Sequence, residues 1–153
     1  MKLNQVDQGK SKGLVGIEKQ ISPIESLLHL DSEDVCVLGI WGMLGIGKTT
    51  IAEEVYHRLR PEYGSCLMPN VREESERYGT NSLRLRMKLL STLLEEEDLK
   101  DDMINGLPPL VKKRLGRMKV LIVHDDVKDA EQLEVLVGTA DWLGEGSRII
   151  ITS

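Results

Sequence analysis

A glycine-rich loop wedged between an apolar run and a helix constrains this chain more than any other feature. Residues 42–50 read Gly-Met-Leu-Gly-Ile-Gly-Lys-Thr-Thr. Before them, Val35-Cys36-Val37-Leu38-Gly39-Ile40 is continuously apolar. Short runs of that kind suit a strand covered on both faces, as in a parallel sheet sandwiched by helices. After them, Ile51, Ala52, Val55 and Leu59 recur at helical spacing until Pro61 stops the pattern.

Gly42, Met43, Leu44, Gly45, Ile46, Gly47, Lys48 and Thr49 satisfy G-x-x-x-x-G-K-[ST] at every position. The residue types match what a polyphosphate requires. Glycines let backbone N–H groups turn inward without a Cβ in the way. The helix that follows offers free N–H groups and a partial positive charge at its start. Lys48 is expected to reach the β- and γ-phosphates, and the Thr49 hydroxyl to bind Mg²⁺. A P-loop of this kind needs a carboxylate on a nearby strand end to hold the metal and its waters. "VLIVHDDV" supplies one. Asp125 is expected as the metal carboxylate and Asp126 as the group that orients or deprotonates the attacking water.

The remaining chain alternates strands and helices. Ser22-Pro23-Ile24-Glu25 matches a capping box, so a helix is expected over about 23–30, with up to one turn before it. Residues 65–71 read as a strand, and Pro69, which cannot donate to a ladder, places it at a sheet edge. Leu83, Met87, Leu90 and Leu94 mark an amphipathic helix, with an acidic loop over 95–102 and a short helix around 107–115. A capping box at Asp129–Gln132 opens a further helix, and "SRIIITS" is a last strand. Residues 1–13 are polar and read as a linker or frayed tail. The pattern predicts an α/β parallel sheet flanked by helices on both faces.

Composition narrows the function classes. At 153 residues the chain suffices for one domain, and its formal charge of −5 argues against nonspecific nucleic-acid binding. The basic cluster Lys112, Lys113, Arg114, Arg117 and Lys119 has no interleaved aromatics and reads as a solvated helix face. No apolar run reaches membrane-spanning length, and no secretory leader is evident. Cys36 and Cys66 read as buried thiols in a reducing compartment. His124 falls on an apolar strand, where a core histidine with one hydrogen bond is expected ahead of a proton relay beside Asp125. A small-molecule kinase would need lid arginines, and nothing marks Arg72, Arg77, Arg84 or Arg86 as a lid.

The segments "LVGIE", "GIWGMLGIGKTTIAEEVY", "NVREES", "VLIVHDDV", "EQLEVLVG" and "WLGEGSRIIITS" resemble the NB-ARC domain of plant disease-resistance proteins. The likeness is nearest to the class with an N-terminal Toll/interleukin-1-receptor domain and C-terminal leucine-rich repeats. It covers residues 14–153, the N-terminal part of such a domain. It implies a P-loop NTPase fold of the STAND/AAA-like kind, ending after a fourth strand, with the Asp125 strand next to the phosphate-loop strand. It implies ADP or ATP with Mg²⁺ as ligands and at most a weak Mg²⁺-dependent ATPase. It implies a cytoplasmic or nuclear immune receptor that exchanges ADP for ATP and oligomerises with other receptor chains. Gly42, Gly45, Gly47, Lys48, Thr49 and Thr50 would form the phosphate cradle, and Val15, Gly16 and Ile17 would lie near the adenine. The sequence departs from the family at Leu44, where glycine is usual, at His124, where an aliphatic residue is usual, and at Pro69. Those departures motivate an alternative, a non-catalytic fragment that pairs with full-length receptors.

Overall fold

The structure, a computed structural model, describes residues 2–7, 17–41, 47–68, 71, 83–95, 109–127 and 139–153. Five strands form one wholly parallel sheet: β1 (Lys2–Asp7), β2 (Cys36–Trp41), β3 (Gly64–Met68), β4 (Val120–His124) and β5 (Arg148–Thr152). The helices are α1 (Ile17–Leu27), α2 (Gly47–Leu59), α3 (Leu83–Leu94) and α4 (Pro109–Leu115). Short 3₁₀ turns cover Arg60–Glu62, which contains Pro61, and Thr139–Trp142.

The strand order is β1-β2-β5-β4-β3. Successive strand residues point to opposite faces, and both faces of this sheet are apolar. On one face Leu38, Ile40, Leu121, Val123 and Ile150 pack with Ile21 and Ile24 of α1, Leu28 just beyond it, and Ile51, Ala52 and Val55 of α2. On the other, Val37, Val120, Ile122, Ile149 and Ile151 pack with Leu89, Leu90, Leu93 and Leu94 of α3 and with Leu115. The continuous apolar runs in the sequence therefore mean what they suggest, burial on both sides.

Four findings correct the expectations. Lys2–Asp7 are an edge strand paired in register with Cys36–Trp41, not a tail. Among the described residues the sheet accordingly has a fifth strand, β1, beside the four expected. The Asp125 strand is not beside the phosphate-loop strand: β5 lies between β2 and β4 and pairs with both. With Ile149, Ile150 and Ile151 all buried, β5 is suited to the centre. Finally, α1 runs through Pro23, begins at Ile17, more than one turn before it, and ends at Leu27. An internal proline costs about 3 kcal/mol, but Ile21 is fully buried in the core, and burying such a side chain contributes about 1.5–3 kcal/mol. The stripe Ile21, Ile24, Leu28 draws the turn before the proline into the helix. The edge position expected for the Pro69 strand is observed for β3, which ends at Met68. The helix expected at Asp129–Gly138 and most of the acidic loop lie outside the described residues.

At the N-terminal edge of the sheet, Arg148 is fully buried. Its guanidinium donates to five backbone carbonyls: Leu28 (2.6 Å), Asp34 (2.7 Å), Ser147 (2.9 Å), His29 (2.5 Å) and Ser32 (2.9 Å). Two of these belong to the end of α1, where unsatisfied carbonyls carry partial negative charge. His29 itself has φ 48°, the left-handed conformation that commonly ends a helix. Close by, Gly144 is fixed by space: a Cβ there would stand 2.4 Å from the Met118 carbonyl oxygen and 2.8 Å from that of Gly116.

Arg148→Met is expected to destabilise the fold by at least about 3 kcal/mol, since each buried acceptor left unpaired costs about 1–3 kcal/mol. Arg148→Lys is expected to recover little of this, because three ammonium donors cannot reach five carbonyls. Urea unfolding of the two variants measures both effects.

Candidate nucleotide site

The phosphate-loop residues that are described open α2. Gly47 is its first residue, and Lys48, Thr49 and Thr50 complete the first turn. That turn contains no acidic residue, while His57 and Arg58 lie in the last. A helix N-terminus is positive, and a cation there is unfavourable by roughly 0.3–1 kcal/mol. Lys48 thus adds positive charge where an isolated helix would avoid it, which suits an anion placed in front. Gly47 adds to this. A Cβ at that position would meet only Ile51 Cδ1, at 3.9 Å, among the described residues. Packing among the described residues therefore does not demand glycine there, whereas close approach of a phosphate would.

At the C-terminal ends of the strands, Thr49 meets Asp125 and Lys48 meets Ser153. Asp125 follows β4 directly and is buried. The Thr49 hydroxyl lies 3.1 Å from Asp125 Oδ1 and 3.0 Å from Oδ2. The Lys48 ammonium donates to the Ser153 carbonyl, just beyond β5. Asp126 has φ 62°, a left-handed conformation that aspartate tolerates better than most residues. Ligands of open parallel sheets sit outside the carboxyl ends of the strands, and this cluster occupies that place.

Sequence reasoning overlooked Thr152, the last residue of β5. Its hydroxyl donates to Asp125 Oδ1 at 2.5 Å and accepts the Asp126 N–H at 2.9 Å. The available signal was a polar residue closing the apolar run Ile149–Ile151. Gly42, Met43, Leu44, Gly45, Ile46, Val15 and Gly16 lie outside the described residues, and Ile17 is described only as the first residue of α1.

A hydroxyl, a carboxylate and a cation gathered at a positive helix start suit Mg²⁺ and phosphate. Mg²⁺ is commonly held by one or two protein oxygens, substrate phosphates and water. Thr49 and Asp125 are the residues that would hold it, and Lys48 would face the phosphates.

Comparison with known proteins supplies the context. The NB-ARC domain family model matches residues 17–153. The chain belongs to this nucleotide-binding family. It is 43% identical over 154 residues to the disease resistance-like protein DSC1 of Arabidopsis thaliana, covering 99% of this chain and 12% of that protein. It is 39% identical over 158 residues to the disease resistance protein RPV1 of Vitis rotundifolia, covering 100% and 11%. It is 38% identical over 160 residues to the TMV resistance protein N of Nicotiana glutinosa, covering 99% and 14%. The chain thus spans a small part of the length of these relatives. Within the NB-ARC family, the described helices of this chain include none long and apolar enough to cross a membrane.

His124 sits beside this site in sequence but shares the face of Val120 and Ile122, by strand alternation. It is buried, and neither ring nitrogen has a hydrogen-bond partner among the described residues, contrary to the single bond expected. Loss of water around the ring lowers its pKa from 6.5 to about 4. The unfolded chain therefore takes up a proton near pH 6.5, which the folded chain refuses until about pH 4. Stability is retained above pH 6.5 and lost as the pH falls through this window, by up to about 3 kcal/mol. His124→Leu is expected to hold its melting temperature between pH 7 and pH 5 better than the parent chain does. Thermal melts at both pH values make the comparison.

Proposed function

We propose that this chain is the ADP/ATP-binding switch module of a plant intracellular immune receptor, using Mg²⁺ and hydrolysing ATP slowly or not at all. The observation that carries the reading is the meeting of Lys48 and Thr49, at the start of α2, with Asp125, Thr152 and Ser153 at the ends of β4 and β5. The disease-resistance relatives support the biological setting.

The roles follow from the chemistry of each group. Gly42 to Ile46 and Gly47 carry the backbone N–H groups that wrap the phosphates. Lys48 neutralises the β- and γ-phosphate oxygens, and Thr50 belongs to the same cradle. Thr49 and Asp125 hold Mg²⁺, which supplies charge neutralisation to the phosphates when bound. Asp126, one residue beyond the metal carboxylate, orients or deprotonates a water. Val15, Gly16 and Ile17 contact the adenine. The module works in the cytoplasm or nucleus, and its ATP form associates with other receptor chains. Neither nucleic acid nor membrane is a partner.

Binding is expected to show as a rise in melting temperature with Mg²⁺–ADP. Ligand at about 100 times its dissociation constant contributes roughly 2.7 kcal/mol. Lys48→Ala is expected to melt cooperatively but to lose the rise. A parent chain that melts cooperatively with no shift points instead to the interaction fragment. A variant that keeps the parent's shift removes Lys48 from the site.

A further inference from the structure

Thr152 holds more of the site together than a strand residue ordinarily does. The β4–β5 ladder runs to the pair His124–Ile151 and stops. Beyond it the chain turns left-handed at Asp126, and Thr152 takes over the pairing. Its hydroxyl oxygen accepts the Asp126 N–H at 2.9 Å, and its carbonyl accepts the Val127 N–H at 2.8 Å. The hydroxyl proton goes to Asp125 Oδ1 at 2.5 Å. A hydroxyl has one proton, so this donation is committed to the carboxylate. Charge-assisted O–H···O⁻ bonds of about 2.5–2.7 Å are strong and directional. Thr152 is buried, so water does not readily replace it.

Asp125 Oδ1 consequently has Thr152 at 2.5 Å and Thr49 at 3.1 Å, whereas among the described residues Oδ2 meets Thr49 alone, at 3.0 Å. The two oxygens are not equivalent. Oδ1 is tied to the sheet, whereas Oδ2 has no strand partner among the described residues, and the Thr49 hydroxyl is equally near both.

We propose that Thr152 is a positioning residue for the metal: by holding Oδ1 it fixes the rotation of the Asp125 carboxylate and leaves Oδ2 as the oxygen offered to the metal. This inference rests on the nucleotide reading above. Removing the hydroxyl lets the carboxylate rotate and leaves the Asp126 N–H without its acceptor, so metal coupling is lost while the phosphate-facing Lys48 and helix N-terminus stay in place. Partners that orient a metal ligand from behind are typically worth 10–100-fold in metal affinity.

The test is calorimetric titration of the 153-residue chain with a non-hydrolysable ATP analogue, in Mg²⁺ and in EDTA. The quantity read is the ratio of the two affinities. Thr152→Val, nearly isosteric, is expected to lower that ratio about tenfold or to unity, and Thr152→Ser, which keeps the hydroxyl, to hold it within about threefold of the parent. Should the valine variant fail to melt cooperatively, Thr152→Ala, which adds no bulk, is expected to show the same loss. A parent-like ratio in the variant lacking the hydroxyl overturns the inference. So does an equal loss in Thr152→Ser, which would make the methyl group the important part. A parent chain that binds the analogue in neither buffer overturns the nucleotide reading, and this inference falls with it.

Discussion

Everything in this fold is arranged around a strand hydrogen-bonded on both edges. β5 is the only connection between β2 and β4 among the described ladders. Its five residues are all buried, including a charged one and a hydroxyl. The polar pair sits at the two ends. Arg148 holds the carbonyls of the α1–β2 turn at the bottom of the sheet, and Thr152 holds the aspartate turn at the top. A buried charge without compensation is very costly. Arg148 is therefore tolerated only because five oxygens converge on it, and the loop supplying them is shaped by that need. The same guanidinium that satisfies the loop fixes where α1 ends, and so how α1 lies on the face it shares with α2.

The opposite end of β5 spreads its attachments over both neighbours. Ser153 N–H donates to the Ile40 carbonyl on the β2 side, and Thr152 reaches Asp125 and Asp126 on the β4 side. Lys48 and Thr49 come down onto the same spot from α2. The proposed site thus sits at the ends of three adjacent strands, with the helix start facing them. Such placement favours precision, because side chains on strands and helix ends move less than those on loops.

Much of this was legible in the sequence, for identifiable reasons. The run before Gly42 and the runs at 120–123 and 149–151 are apolar without interruption, as suits strands buried on both faces. Lys48, Thr49, Asp125 and Asp126 announce themselves through residue type and context. Three things stayed hidden. Lys-Leu-Asn-Gln-Val-Asp has neither alternation nor an apolar run, so β1 is visible only through its pairing with β2. The neighbour of a parallel strand is set by crossovers that span distant residues, so the insertion of β5 between β2 and β4 left no local mark. Thr152 looked like an ordinary strand end, since its importance comes from the aspartates it meets across the sheet. His124 was noticed, but its lack of hydrogen-bond partners among the described residues depends on what those neighbouring elements fail to offer.

The order in which the strands are made has a further consequence. During synthesis the chain emerges with β1 and β2, then β3, then β4, and the middle of the sheet comes fifth. Until then β2 and β4 each have a bare inner edge, and the two half-sheets have no shared backbone bonds among the described ladders. Unpaired apolar edges of this kind invite pairing with other chains. The long sequence separation between β2 and β5 also slows closure. Assembly is therefore like setting a keystone: the outer stones stand provisionally, and the piece that arrives late brings both the bond between the halves and the hydroxyl that ties down Asp125.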